Sequence, residues 1–184
     1  ITDKVGKFSL RPRITAAELF PEPELIHPLA QVFGCDPDFN AWNGGKRNLR
    51  PVNVPSTLRS CGGHIHVAVN KSVFLHMMIK AMDLFLGVPS VMMDEDVERR
   101  RLYGKAGSFR TTYYDETSWE YRVLSNFWIK SSSLTKWAYI QTIKSVNFVY
   151  EKTSSELDEF FNKDNLAGEI QACINNGDIS LSHK

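Results

Sequence analysis

Two short segments constrain this chain more than any other feature. Residues 64–69 read His-Ile-His-Val-Ala-Val, and residues 119–124 read Trp-Glu-Tyr-Arg-Val-Leu. Both alternate with a period of two, the signature of a strand whose faces meet different surroundings. In the first, His64, His66 and Ala68 share one face, and Ile65, Val67 and Val69 share the other. In the second, Glu120, Arg122 and Leu124 oppose Trp119, Tyr121 and Val123. An apolar strand face must be covered, so both segments predict strands packed on helices. Each also carries two chemically active side chains at i and i+2 on its other face. Gly62 and Gly63 stand directly before the histidines. On the residues alone, a surface strand with incidental histidines competes with a metal or phosphate site.

Helical signals fill much of the rest. Thr15 is placed to cap a helical turn through Leu19, and residues 24–32 suggest a second short helix. Residues 34–58 read as a long polar loop, of the length often found in lids and binding loops. A helix is expected over 71–86, with Phe74, Met77, Met78, Ala81 and Phe85 as its buried stripe and Gly87 and Pro89 ending it. Residues 94–102 open with acids and close with bases, which suits a short helix; its Arg99-Arg100-Arg101 run reads as a solvated end. Helices are expected over 134–152, from Ser154 or Ser155 to Phe161, and over 166–175. The fold class is α+β: an antiparallel sheet with helices on one face, in a single domain over 1–184 whose residues 131–184 are helical.

Charge and cysteines exclude several roles. With 22 basic and 21 acidic residues, the chain has no strong nucleic-acid signature. Cys35, Cys61 and Cys173 lack metal-knuckle spacing and read as reduced thiols, which with no signal-peptide pattern points to the cytoplasm. No run of about 18 apolar residues is evident, so no membrane span is expected.

The two strands together suggest one cleft. Imidazoles bind metal or phosphate oxygen, a carboxylate binds metal, and a guanidinium clamps phosphate or carboxylate. Ordinary readings carry weight: His-x-His on a strand is ordinary surface chemistry about as often as a site, and Glu-x-Arg is commoner as a cross-strand ion pair. A zinc hydrolase using His64, His66 and Glu120 is a chemically sound third choice.

Longer motifs narrow the choice. They are Gly-Cys-Asp-Pro-Asp-Phe-Asn-Ala-Trp (34–42), Arg-Ser-Cys-Gly-Gly-His-Ile-His-Val (59–67), Asp-Leu-Phe-Leu-Gly-Val-Pro (83–89), Arg-Arg-Leu-Tyr-Gly-Lys-Ala-Gly-Ser-Phe-Arg (100–110) and Glu-Tyr-Arg-Val-Leu-Ser-Asn-Phe-Trp (120–128). Over roughly residues 20–150 the chain resembles the phage-encoded carboxylate–amine ligases, a branch of the glutamine synthetase and glutamate–cysteine ligase superfamily. The resemblance implies a glutamine synthetase-like catalytic domain that uses ATP and Mg2+ to form an amide through an acyl phosphate. It implies metal binding by His64 and Glu120, and ATP phosphate contacts from His66, Arg110 and Lys105. Glu120, Arg122 and Arg110 would be catalytic, and Arg59, Asp36, Asp38 and Asn40 would face the substrate, a small amino acid or peptide. A homo-oligomer and a location in the host cytoplasm are compatible with it. The superfamily opens on a strand with paired carboxylates, whereas residues 1–30 offer only Glu18, Glu22 and Glu24, so that strand is expected to be missing. A non-catalytic phage virion or binding protein that keeps the fold is therefore the main alternative to the ligase.

Overall fold

A computed structural model describes residues 13–31, 38–49, 51–69, 74–112 and 115–181. Seven strands lie among them: β1 (Ala17–Leu19), β2 (Phe39–Asn40), β3 (Lys46–Arg47), β4 (Leu58–Ser60), β5 (Ile65–Ala68), β6 (Ser108–Thr112) and β7 (Asp115–Tyr121). β1 and β4 form a two-stranded antiparallel ribbon. The other five form an antiparallel sheet in the order β3-β2-β6-β7-β5. The helices are α1 (Leu75–Met82), α2 (Val88–Met93), α3 (Val97–Leu102), α4 (Ser132–Tyr150), α5 (Ser154–Asn162) and α6 (Leu166–Asn176). The α+β class and the antiparallel sheet are as the alternation predicts.

The period-two reading holds at the core. Val67, Phe109, Trp119 and Tyr121 are buried on the helix side of the sheet, in one cluster with Met78, Ile79, Met82, Leu86 and Ile174. His76 of α1 meets the Phe109 ring edge-on at 5.7 Å. Trp119 is 1% exposed, so Trp119→Ala should lower stability by about 3–5 kcal/mol, read as a shift in the denaturant midpoint.

Several local expectations fail for identifiable reasons. Residues 17–19 are a strand, not a helical turn, because Leu58–Ser60 supplies a partner: Ala17 faces Ser60 and Leu19 faces Leu58. In place of the helix expected over 24–32, whose last residue lies outside the described residues, the chain makes two 3-10 turns, Glu22–Leu25 and Pro28–Gln31, the second starting at a proline that cannot continue a helix. The expected loop 34–58 contains the β2–β3 hairpin and the first residue of β4, with Gly44 and Gly45 at positive φ where the hairpin turns. Phe74, placed in the buried stripe, is 54% exposed. Thr153, rather than Ser154 or Ser155, caps α5 in a reciprocal arrangement with Glu156.

Gly87 and Pro89 do not end the helix. The chain passes from α1 through one π-helical turn, Asp83–Gly87, directly into α2. Pro89 lies in the first turn of α2, and the wider turn before it is a known way to absorb a missing N–H. The resulting run Leu75–Met93 is long and apolar enough, by composition, to cross a membrane. Here it is the central core helix: Met78, Ile79, Met82 and Leu86 are fully buried.

That π turn carries Asp83, which is fully buried. Its Oδ2 accepts from Trp42 Nε1 and Gly107 N, both at 2.6 Å, and its Oδ1 accepts from Tyr121 Oη at 2.8 Å. One carboxyl group thus joins the core helix to the turn after β2, the approach to β6 and the end of β7. Burial pushes its pKa up to about 7, against the three hydrogen bonds, which pull it down.

Candidate functional site

Strand register brings the polar residues together. His66 faces Glu120 across β5–β7, and Glu120 faces Arg110 across β7–β6. Side chains two residues away point to the same face. That rule adds Ser108 beside Arg110, and Asn40 beside Ser108 through the β2–β6 pairing. His64 and Arg122 lie just beyond the ends of β5 and β7 and close the row.

The contacts centre on Glu120. Its Oε2 accepts a hydrogen bond from Arg122 Nη1 and lies 3.7 Å from Arg110 Nε and 3.8 Å from His64 Nδ1. Its Oε1 lies 3.7 Å from His66 Nε2. Arg122 is 1% exposed and also pairs with the buried Asp38, Nε to Oδ2 at 3.5 Å. Asp38 Oδ1 accepts from Asn48 Nδ2 at 2.8 Å, and the same amide reaches Ser108 Oγ at 3.2 Å.

His64 is held on both sides. Its Nδ1 lies 3.2 Å from Arg122 Nη1, and its Nε2 lies 3.3 Å from Tyr103 Oη. Burial, followed by the charges of Arg122, Arg99 and Arg110, lowers its pKa to about 3, so the ring is neutral at ordinary pH. A neutral ring accepts from Arg122 at Nδ1 and donates to Tyr103 from Nε2. The Tyr103 ring is within cation–π reach of two guanidinium groups, Arg99 at 5.2 Å and Arg122 at 5.3 Å.

The arginine run is not a solvated helix end. Arg99 and Arg100 are both buried. Arg99 donates to the carbonyls of Cys61, Val123 and Arg122, fastening the chain before His64 to the end of β7. Arg100 donates to Ser90 and Asp94.

The two glycines before His64 also have a reason. A Cβ on Gly62 would stand 2.6 Å from His64 Nε2 and 2.8 Å from Arg99 Nη2. A Cβ on Gly63 would overlap the Ser125 carbonyl and the Trp128 indole nitrogen, which itself donates to the Gly63 carbonyl. Packing this close is possible only without side chains.

Several polar atoms here make no hydrogen bond among the described residues, although three of them stand in the ion pairs just given. They are Nε and Nη2 of both Arg110 and Arg122, and Oδ2 of Asp38. Buried polar groups are rarely left unpaired, and such a set asks for a water, an ion or a ligand. Two guanidinium groups on one face, each with an Nη2 that makes no hydrogen bond among the described residues, are oxyanion-binding chemistry.

The other expected site residues divide. His64, His66, Arg110, Glu120, Arg122, Asp38 and Asn40 meet on one face. Arg59 does not: it belongs to the β1–β4 ribbon and donates to the carbonyls of Ala30, Ser56 and Leu58. Lys105 is exposed and meets the row through its backbone carbonyl, which accepts from Ser108 N at 3.1 Å. Asp36 lies outside the described residues. Among the described residues no three His, Cys, Asp or Glu side chains form a ready metal site. In the His64, His66 and Glu120 trio, the Arg122 guanidinium stands against two of the three. Sequence reasoning missed Asn48, Ser108, Tyr103 and Arg99. Of these, Ser108 alone had a local signal, two residues before Arg110 on the same face.

The fold and this face define an α+β protein with a polar row, rich in arginine, on one face of an antiparallel sheet. The chain belongs to the phage phiEco32-like COOH·NH2 ligases of type 2, whose family model matches residues 44–168. All five strands of the larger sheet except β2 lie within that span. The family's name describes a ligase acting on a carboxyl and an amino group. Comparisons with curated proteins and with solved structures give no match.

Proposed function

We propose that this protein is an ATP-dependent ligase that joins a carboxylate to an amine through an acyl phosphate. The observation that carries the reading is the pair of guanidinium groups of Arg110 and Arg122 beside Glu120, each with an Nη2 that makes no hydrogen bond among the described residues. A transferring phosphoryl group spreads negative charge over three oxygens, and catalysis of its transfer rests on positioning and charge neutralisation. Arg122 is anchored by Glu120 and Asp38, so its free nitrogen is fixed in place before any ligand arrives.

In the first step a carboxylate oxygen attacks the γ-phosphorus of ATP; the new O–P bond forms as the bond to the β-phosphate oxygen breaks and ADP leaves. In the second, the amine nitrogen attacks the acyl carbon, phosphate leaves with the C–O electron pair, and the nitrogen loses a proton. Arg110 and Arg122 hold the phosphoryl oxygens in both steps. His66, 63% exposed in its side chain and at the edge of the row, is placed to reach the nucleotide phosphates.

The donor set fits phosphate better than metal. Magnesium takes oxygen ligands, commonly one or two carboxylates plus substrate phosphates. Glu120 Oε1 is the carboxylate oxygen not bonded to Arg122, so Glu120 would hold the ion together with phosphate oxygens. Bound there, Mg2+ would neutralise phosphate charge. His64, with both nitrogens engaged, would orient Arg122 in the arrangement seen.

Turnover tests the proposal. The protein is supplied with Mg·ATP and pairs of amines with carboxylates labelled with heavy oxygen, drawn from amino acids and short peptides. The expected result is ADP release that requires both partners, with one labelled oxygen passing into the phosphate. ATP hydrolysis without oxygen transfer, or no turnover with any pair, would contradict it.

A further inference from the structure

The outer edge of β5 offers a second recognition surface beside this face. Among the described residues β5 is the last strand of its sheet and pairs only with β7. Two backbone bonds fix which way its peptide groups point. Val69 N donates to Thr117 O, and Arg122 N donates to Ser108 O. Hydrogen-bonded pairs alternate along an antiparallel ladder. Ile65 and Val67 therefore bond to β7, whereas the N–H and C=O groups of His66 and Ala68 point to the open edge. Among the described residues no strand covers them.

A groove follows this edge. It is a cavity of about 440 Å³ between Ile65, Val67 and Val69 on one side and Tyr139, Ile143 and Val146 of α4 on the other. Tyr139 is 68% exposed. The groove meets the candidate site at His66, which lines it while its imidazole lies 3.7 Å from Glu120.

We propose that an extended peptide docks here as a sixth strand and is a substrate of the site. Alternating free N–H and C=O groups are the complement of another backbone, and a sheet edge recognises peptides in this way. The period of two then sorts the peptide's side chains. The residue paired with His66 projects onto the face that holds Glu120, Arg110 and Arg122. Its two neighbours project toward the groove, so they should be apolar. The substrate class is thus an extended peptide in which the residue bearing the reacting carboxylate or amine is flanked by apolar side chains. Its role as substrate rests on the ligase reading; its docking does not.

The probe is the blocked peptide acetyl-Lys-Val-Glu-Val-Lys-amide, with acetyl-Lys-Val-Val-Glu-Lys-amide as the same composition out of register. Binding is followed without nucleotide by amide NMR of the full chain. The first peptide should shift the His66 and Ala68 amides saturably and slow their hydrogen exchange, and the second should bind more weakly. Ala68→Pro removes an edge N–H that β7 does not use, a position where a strand tolerates proline. It should weaken binding about tenfold or more, as should Ile143→Ser in the groove; the latter stands alone if the proline variant misfolds. Unshifted His66 and Ala68 amides, or unchanged affinity in the folded variants, would overturn the proposal. So would a dimer of the free protein that Ala68→Pro dissolves, because the edge would then belong to a second copy. Peptide binding at these amides in a protein that fails to turn over ATP would retain the docking surface and refute only the ligase reading.

Discussion

Glu120→Gln should reduce ATP turnover by about a hundredfold or more while the protein still folds. Glutamine keeps an oxygen that accepts from Arg122 but loses the charge that pairs with Arg122, Arg110 and any bound cation. Arg122 retains Asp38 as a charged partner, so the fold persists. The expected cost is less than about 3 kcal/mol, the upper end of what a hydrogen bond to a charged group contributes, because a neutral hydrogen bond to Arg122 is kept. Steady-state ADP release and a denaturant titration measure the two effects separately. Full activity would remove Glu120 from the chemistry, and an unfolded variant would make it primarily structural.

Asp83→Ala should have the largest effect on stability. It leaves the N–H groups of Trp42 and Gly107 and the hydroxyl of Tyr121 without their acceptor in the core. Each orphaned buried group costs about 1–3 kcal/mol, so a loss of at least about 3 kcal/mol is expected. Asp83→Asn should behave differently. Its oxygen can accept from Trp42 and Gly107 while its NH2 donates to the Tyr121 oxygen, which imitates a protonated Asp83. With a folded pKa of about 7 against an ordinary value of 3.8, the folded state holds this proton more tightly than the unfolded state. Stability from this group is fully present below about pH 4 and is lost as the pH rises toward and through 7. Denaturant midpoints across that range should show the decline in the wild type and its absence in Asp83→Asn. An identical slope in both would assign the dependence to other groups.

The parts of this site legible in the sequence were those encoded by local alternation. His64, His66, Glu120 and Arg122 declare their shared faces through the period of two, and Trp119 declares its burial in the same way. The row itself depends on register. Nothing near Asn48 marks it as a neighbour of Asp38 and Ser108, because the β2–β3 hairpin and the β2–β6 pairing create that meeting. Arg99 read as solvated because the carbonyls that receive it come from Cys61, Arg122 and Val123, distant along the chain. Gly87 and Pro89 carried a genuine stop signal, overridden by a π turn that buries Asp83 among three donors from other segments. Arg59 differs from these: its guanidinium donates to the backbone carbonyls of Ala30 and Ser56 in place of joining the polar row.

Calorimetric titration of the protein with Mg·ATP, repeated on Arg110→Gln, addresses the central claim most directly. One saturable site in the wild type, weakened tenfold or more in the variant (about 1.4 kcal/mol or more), is the result expected of an oxyanion face built on Arg110, Arg122 and Glu120. Absence of binding by the wild type, or equal affinity in both proteins, would contradict it.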